Sequence, residues 1–420
     1  MTFDAVVIGA GLAGLTAALR LAEEGRRVLI VAKGVGATHL APGTIDVLGY
    51  LDGPVENPAR ALPEFVAANP EHPYGRVSVE TIRASIEWFG ARLGDHGYRG
   101  GLDENLLLPT AVGVAKPTAL VPETMAAGDL RTGGRYVFVG LRGLKDFYPA
   151  YLADNLARAR LRSGGSVSAR AVELELPLGG EGDVSSVGFA RRFEQAEFRN
   201  VVVRELRRLV VPGEIVGFPA VLGLAHAREI RHELETGLRH PVFEVPTLPP
   251  SVQGLRVFET MTAALRRQGG RVVVGSTVVG GERTRNRLEA VVTETAGRPL
   301  TYRARSFVLA TGGFPSGGLR LDAYGKVQET VFALPLAGVP GPERALTDPG
   351  YLDDHALSRV GVAVDERLRP VDGDGEPAYE NLHAAGATIG GAVPWREASG
   401  NGLSLATGYA AASAILESTS

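Results

Sequence analysis

A chain of 420 residues, 45% apolar and 22% charged, has the length and apolar content for two or three packed units. Its formal net charge of −3 argues against a nucleic-acid or polybasic membrane partner. Cysteine is absent, which removes disulfides, thiolate metal sites, cysteine nucleophiles and cysteine-ligated iron–sulfur clusters from this chain.

In chain order, Asp4 to Ile8 reads as a buried parallel strand ended by glycine. A helix follows from Leu12 to Glu24, with Leu12, Leu15, Leu19, Leu21 and Ala22 at helical spacing and Gly25 as its stop. Arg27 to Ala32 gives the second strand of a right-handed βαβ unit. The opening residues carry no basic leader and no cleavage signal, and no apolar run reaches the roughly 18–20 residues of a membrane span. The expectation is a cytoplasmic protein that reaches a membrane only through a partner. The Pro-rich stretch 52–75 reads as a connection, Val79 to Leu93 as a helix, and a strand–turn–helix starts near Tyr136. A diffuse stretch at 163–186 precedes helical segments at 188–210 and 223–238. After it come an amphipathic helix from about Gly254, short strands ending at Ser306–Ala310, and a final strand, Gly-rich loop and helix. The fold class expected is α/β: a Rossmann-like flavin-binding domain, its parallel sheet flanked by helices on both faces with a small antiparallel sheet, split by an inserted α/β domain. The bounds expected are 1–60 and 246–420 for the split domain and 61–245 for the insert.

Gly9-x-Gly11-x-x-Gly14 lies between that first strand and helix, the context in which this otherwise weak motif carries meaning. The first glycine permits the tight turn, the second lets a pyrophosphate approach the backbone, and the third lets helix and strand pack closely. With Leu12 and Ala13, these glycines present free N–H groups and a helix dipole to an anion. Position 33, where an acid would accept hydrogen bonds from ribose hydroxyls, is Lys33, flanked by Ala32 and Gly34. A lysine only donates, so other groups hold the ribose, or the cofactor lacks adenosine, or Lys33 pairs with a phosphate.

Two further segments resemble parts of two-dinucleotide-binding flavoproteins. "VLATGG" (308–313), with Ala310, Thr311 and Gly312, resembles the segment that returns the chain to the cofactor. "LHAAGATIGG" with "GNGLSLATG", carrying Gly386, Gly400, Asn401, Gly402, Leu403 and Ser404, resembles the one that sets a helix start at the flavin pyrimidine edge. There a helix dipole stabilises the charge of the reduced ring. Over nearly its full length the chain resembles the B subunit of anaerobic glycerol-3-phosphate dehydrogenase. The resemblance rests on "IGAGLAGL", "HLAPGTIDVLGYL" (39–51), "HPYG" (72–75), "GLKDFYPAYLADNL" (143–156), "PTLPPSVQGLR" (246–256), "FVLATGGFPSGGL" (307–319) and "DERLRP" (365–370). It departs in the C-terminal loop "WREASGNGLSLATG" (395–408), where a more glycine-rich stretch is expected.

The resemblance implies an FMN-linked subunit beside a second flavoprotein subunit and an iron–sulfur, membrane-anchoring subunit. Together these oxidise sn-glycerol 3-phosphate to dihydroxyacetone phosphate and send electrons toward menaquinone. Lys33 agrees with FMN, which has no adenosine ribose. Lysine after a small residue also occurs in the FAD-holding succinate dehydrogenase and L-aspartate oxidase flavoproteins, so FAD is the alternative. The same likeness places Thr38, His39, Gly43 and Thr44 beside the flavin, with His39 as a neighbour, a covalent attachment point or a plain loop histidine. Arg256 is a candidate catalytic residue with His39, as a fork for a phosphate or anionic flavin or else as a salt bridge at a helix start. Thr311 and Ser404 either donate to the flavin or cap helices. His383 reads as a core histidine, and Asp353, Asp354 and His355 lack a further metal ligand. Two other functions remain open: a self-sufficient flavin oxidoreductase of the fumarate reductase type, and a non-catalytic scaffold.

Overall fold

The computed structural model describes residues 2–94, 96–159, 166–178, 180, 182–294, 298–341 and 345–418. They form two compact units: one from Met1–Ala37, Ala59–Phe89 and Thr260–Ser420, the other from Thr38–Pro58 and Gly90–Glu259.

The first unit is built on the βαβ start. Strands Thr2–Ile8 and Val28–Ala32 run parallel, with Ala5 opposite Val28 and Ile8 opposite Val31. Val28–Ala32 is buried throughout, as a strand covered on both faces must be. Arg271–Val274 extends the sheet parallel to it, and Leu300–Leu309 lies parallel on the far side of Thr2–Ile8. The first half of Leu300–Leu309 also pairs antiparallel with Arg287–Glu294, which pairs in turn with Thr277–Thr284; its last residues take Leu382–Ala384 as a parallel neighbour. The helices Leu12–Glu23 and Gly400–Ser418 cross closely: a Cβ on Gly408 would lie 2.4 Å from the Ala13 carbonyl oxygen. No described helix is long and apolar enough to cross a membrane.

The second unit has a fully parallel four-stranded sheet in the order Val242–Val245, Glu214–Pro219, Gly134–Leu141, Val167–Leu174. Alternation along Gly134–Leu141 sends Tyr136 and Phe138 into one core with Phe243, Leu152 and Leu156. Val137 and Val139 go into the opposite core with Phe189, Phe193, Phe218 and Leu234. Both faces are therefore covered.

The division differs from the bounds 61–245 expected for the insert. Ala59–Phe89 packs in the first unit, where Trp88 donates to Glu23 Oε2 at 2.8 Å and stacks edge-on to Tyr409 at 5.9 Å. Thr38–Pro58 joins the second, held by the Ile45–Leu120 bridge and by Asn105 Nδ2 donating to the Leu48 and Val55 carbonyls. The last crossing falls inside the continuous helix Val252–Arg267, so no linker composition marks it. The Pro-rich stretch also holds a helix, Pro58–Ala68, that turn signals alone conceal. Pro58 sits at its first position, where no N–H is needed, and Leu62 and Phe65 supply a buried stripe.

Candidate flavin site

In the first unit the glycine loop is closed on two sides and open on the third. Gly9 has φ +113°, and a Cβ there would lie 2.2 Å from the Ala310 carbonyl oxygen; one on Gly14 would lie 2.1 Å from the Gly9 oxygen. Neither position admits a side chain. A Cβ on Gly11 would meet nothing within 4 Å. Gly11 precedes the helix Leu12–Glu23 with no side-chain cap and no acid in its first turn. The amide hydrogens of that turn, Leu12, Ala13 and Gly14 among them, thus have no intrahelical acceptor, and the turn carries no carboxylate of its own. A backbone approachable at one glycine, with uncapped donors beside it, fits a phosphate-bearing cofactor.

The other predicted elements of this unit converge on the loop. Ala310 abuts Gly9 as described, and Gly386, at φ +73°, would place a Cβ 2.9 Å from Ala13 Cβ and 3.6 Å from Ser404 Oγ. Two buried threonines not singled out from the sequence fasten these turns: Thr388 Oγ1 accepts from the Gly312 amide at 2.9 Å and lies 3.4 Å from Thr311 Oγ1, and Thr407 Oγ1 accepts from the Gly386 amide at 2.8 Å. Gly400, Asn401, Gly402, Leu403 and Ser404 form the first turn of the last helix, behind a buried Ser399 whose hydroxyl donates to Glu397 Oε2 at 2.7 Å. Glu397 also lies 3.3 Å from Nε2 of the buried His72, whose Nδ1 accepts the Tyr74 amide hydrogen, so Nε2 carries the hydrogen facing the carboxylate. "HPYG" therefore braces the helix start. Ala32 is buried, whereas Lys33 and Gly34 are exposed, and Lys33 makes no ion pair among the described residues. Sequence alone does not single out Gly36, where a Cβ would come 2.7 Å from Gly11 N and Cα. A second glycine two residues past Gly34 is its only signal.

In the second unit, "PTLPPSVQGLR" is a clamp for the Thr38–Thr44 segment. The Ser251 amide donates to the His39 carbonyl at 2.9 Å, and Gly254 is pressed so closely that a Cβ would lie 2.2 Å from the Thr38 oxygen. Gly43, at φ +78°, would place a Cβ 2.7 Å from Gln253 Cβ, and its carbonyl accepts from Tyr98 OH at 2.8 Å. Thr44 Oγ1 donates to Asp46 Oδ1 at 3.2 Å and accepts from Lys116 Nζ at 3.4 Å. Two polar atoms of the segment, Thr38 Oγ1 and His39 Nδ1, are buried without a hydrogen-bond partner among the described residues. Such atoms are rare in folded proteins unless something else binds them.

Arg256 does not offer the fork expected of a phosphate clamp. It is 4% exposed; Nη1 and Nη2 donate to Glu244 at 2.8 and 3.0 Å, and Nε donates to the Gly223 carbonyl at 3.0 Å. Gln253 Nε2 adds a 2.9 Å bond to the same carboxylate. Burial alone would push the Glu244 carboxyl upward, but the Arg256 guanidinium outweighs it and holds the carboxyl below its ordinary range. The helix position that presents Arg256 faces a core carboxylate, which sequence spacing could not reveal. His383, on the buried strand Leu382–Ala384, has Nδ1 2.8 Å from the Arg367 carbonyl, and burial lowers its pKa. Asp353, Asp354 and His355 are used within their own loop: Asp353 accepts the Gly350 amide, Asp354 pairs with Arg359, and His355 Nδ1 accepts the Asp348 amide.

A mixed sheet whose parallel strands carry this glycine cradle at the first strand–helix turn has the architecture of the dinucleotide-binding folds. The FAD binding domain model matches residues 4–403. The B subunit of a probable anaerobic glycerol-3-phosphate dehydrogenase of Halobacterium salinarum is 35% identical over 99% of this chain and 98% of its own. The corresponding B subunit of Pectobacterium atrosepticum is 33% identical over 99% of both chains. The chain therefore belongs to the FAD binding domain family and, within it, to the group formed by the B subunits of anaerobic glycerol-3-phosphate dehydrogenases. Among solved structures, a 3-ketosteroid delta1-dehydrogenase from Sterolibacterium denitrificans aligns over 99% of this chain and 100% of its own, at 14% identity and a TM-score of 0.47.

Proposed function

We propose that the first unit holds FAD through Gly9–Gly14, Ala310–Gly312, Gly386 and the Gly400–Ser404 turn. On this reading the chain is the flavin subunit of a dehydrogenase that oxidises sn-glycerol 3-phosphate to dihydroxyacetone phosphate. FAD replaces FMN as first choice because the matching family is described by FAD and because the exposed Lys33, which suggested FMN, is tied to no structural role. The observation that carries the proposal is the open face at Gly11 beside uncapped helix N–H groups. When bound, the flavin supplies the acceptor for the hydride of the secondary alcohol. The N–H groups of Leu12, Ala13 and Gly14 would hold the diphosphate, and the start of the Gly400–Ser418 helix would favour negative charge on the bound flavin. The resemblance that sets His39 beside the flavin makes it the candidate to take the hydroxyl proton, and its buried Nδ1 has no hydrogen-bond partner among the described residues. The resemblance to the B subunits implies that electrons leave to a second flavoprotein subunit and an iron–sulfur, membrane-anchoring subunit, and from there toward menaquinone at the inner face of the cell membrane; the absence of cysteine agrees with a cluster held outside this chain.

Anaerobic addition of glycerol 3-phosphate to the purified, flavin-loaded chain tests the reading: bleaching of the flavin band is expected. In His39→Gln the bleaching should slow by about 10²–10⁴-fold with flavin content unchanged. Bleaching of the variant at the wild-type rate would remove His39 from the chemistry. A wild-type chain that bleaches only when the second flavoprotein subunit is present would move oxidation to that partner.

A further inference from the structure

Net charge conceals a local excess in the second unit. The turn between the helix Ala196–Leu206 and the strand Glu214–Pro219 carries "RRLVVPG" at its tip. Leu209 and Val211 are 39% and 44% exposed, while Val210 between them packs against the core. The exposure is built in. The Leu209 and Val210 amides bond to the Leu206 carbonyl at 2.9 and 3.1 Å, and the Val211 amide donates to Glu214 Oε2 at 2.8 Å. Glu214 is itself gripped by Arg170 through two bonds of 2.6 and 2.7 Å. A turn held this firmly keeps both apolar side chains pointed outward.

Four exposed arginines lie on this turn, beside it, or on the helix that leads into it. Arg135 Nη1 reaches the Pro212 carbonyl at 3.4 Å, and Arg207 Nε the Gly237 carbonyl at 2.6 Å. Arg204 and Arg208 share one carboxylate, Glu205, at 2.9 and 3.3 Å. With Arg170 included, five guanidinium groups face two acids, Glu205 and Glu214, which leaves a positive excess beside the apolar tip. Arg204, Arg207 and Arg208 also line a surface groove of about 510 Å³.

A purely acidic surface would satisfy the arginines alone and leave the two aliphatic side chains in water. An anionic bilayer serves both: phosphates meet guanidinium groups at headgroup level, and the hydrocarbon boundary lies just below for Leu209 and Val211. We infer that this turn docks the protein directly on an anionic phospholipid surface, independently of any flavin and of any membrane-anchoring partner.

The test is co-sedimentation of the full chain with vesicles of phosphatidylcholine alone or with phosphatidylglycerol added. Binding is expected only with phosphatidylglycerol, and should weaken at least about tenfold between about 0.05 and about 0.5 M salt. Arg204→Ala with Arg208→Ala should cut the affinity about tenfold, and Leu209→Ser with Val211→Ser should lower it at every salt concentration. All four side chains are exposed, so melting temperature and flavin content should match the wild type. Wild-type chain left in the supernatant with phosphatidylglycerol at low salt would overturn the inference, leaving an acidic protein as the partner. Equal binding to phosphatidylcholine, or well-folded variants that bind like the wild type, would overturn it too.

Discussion

Gly9 and Gly11 sit two residues apart and do opposite things. Gly9 is shut in by the Ala310 oxygen at a φ that side chains rarely adopt, whereas Gly11 has extended dihedrals and open space. Gly9→Ala should therefore destabilise the fold, by about 1–3 kcal/mol or more from strain and overlap. Gly11→Ala should melt near the wild-type temperature but lose flavin affinity at least about tenfold, read by fluorescence titration. Arg256 behaves as a core residue: Arg256→Ala strands Glu244, with no exposed surface, and should cost about 3–5 kcal/mol in denaturant unfolding. Glu397 carries a pH signature. Burial pushes its carboxyl up, but the His72, Ser399 and Val393 hydrogen bonds more than offset this and hold it below its ordinary range. Its stabilisation is thus fully present above the ordinary carboxylate range and fades as pH falls through that range to the lower native value. Glu397→Gln should be less stable at neutral pH and lose less stability than the wild type on acidification, a difference that thermal melts across that range would show.

Elements whose apolar spacing is regular were readable from sequence, and those defined by their neighbours were not. The βαβ start emerges within one residue or so of its observed bounds at most ends, because alternate burial and glycine stops act locally. The segment predicted as helical over 188–210 is two helices, Ser186–Phe193 and Ala196–Leu206. Glu194, at the break, turns its carboxylate to the Leu224 and Ala225 amides at 2.7 and 2.8 Å. That tertiary use carries no sequence signature. "PTLPPSVQGLR" was recognisable as a string, yet its purpose, bringing Gly254 against the Thr38 carbonyl, depends on a contact across more than two hundred residues. Gly254→Ala should loosen that clamp and make the 38–44 segment more sensitive to limited proteolysis, with the four-stranded sheet intact. Cleavage indistinguishable from wild type would show that the segment is held by other means.

At the scale of the molecule, the family and the α/β architecture were legible because they rest on glycine spacing and motif strings spread along the whole chain. The division into units was not. Thr38–Pro58 and Ala59–Phe89 change places relative to the expected insert, and a helix carries the chain across at Glu259–Thr260 without any break in composition. Lys33 alone does not separate FAD from FMN, for a similar reason. A base in place of an acid removes one ribose acceptor, but acceptors also come from backbone carbonyls, which no side-chain pattern records. Whatever the glycine cradle of the first unit holds decides the chemistry of the whole chain. The most direct measurement is acid precipitation of the purified chain with mass analysis of the released flavin. Release of FAD, approaching one per chain and lost in Gly11→Ala, is the predicted result. FMN as the released flavin, or a chain that binds no flavin even after reconstitution, would contradict it.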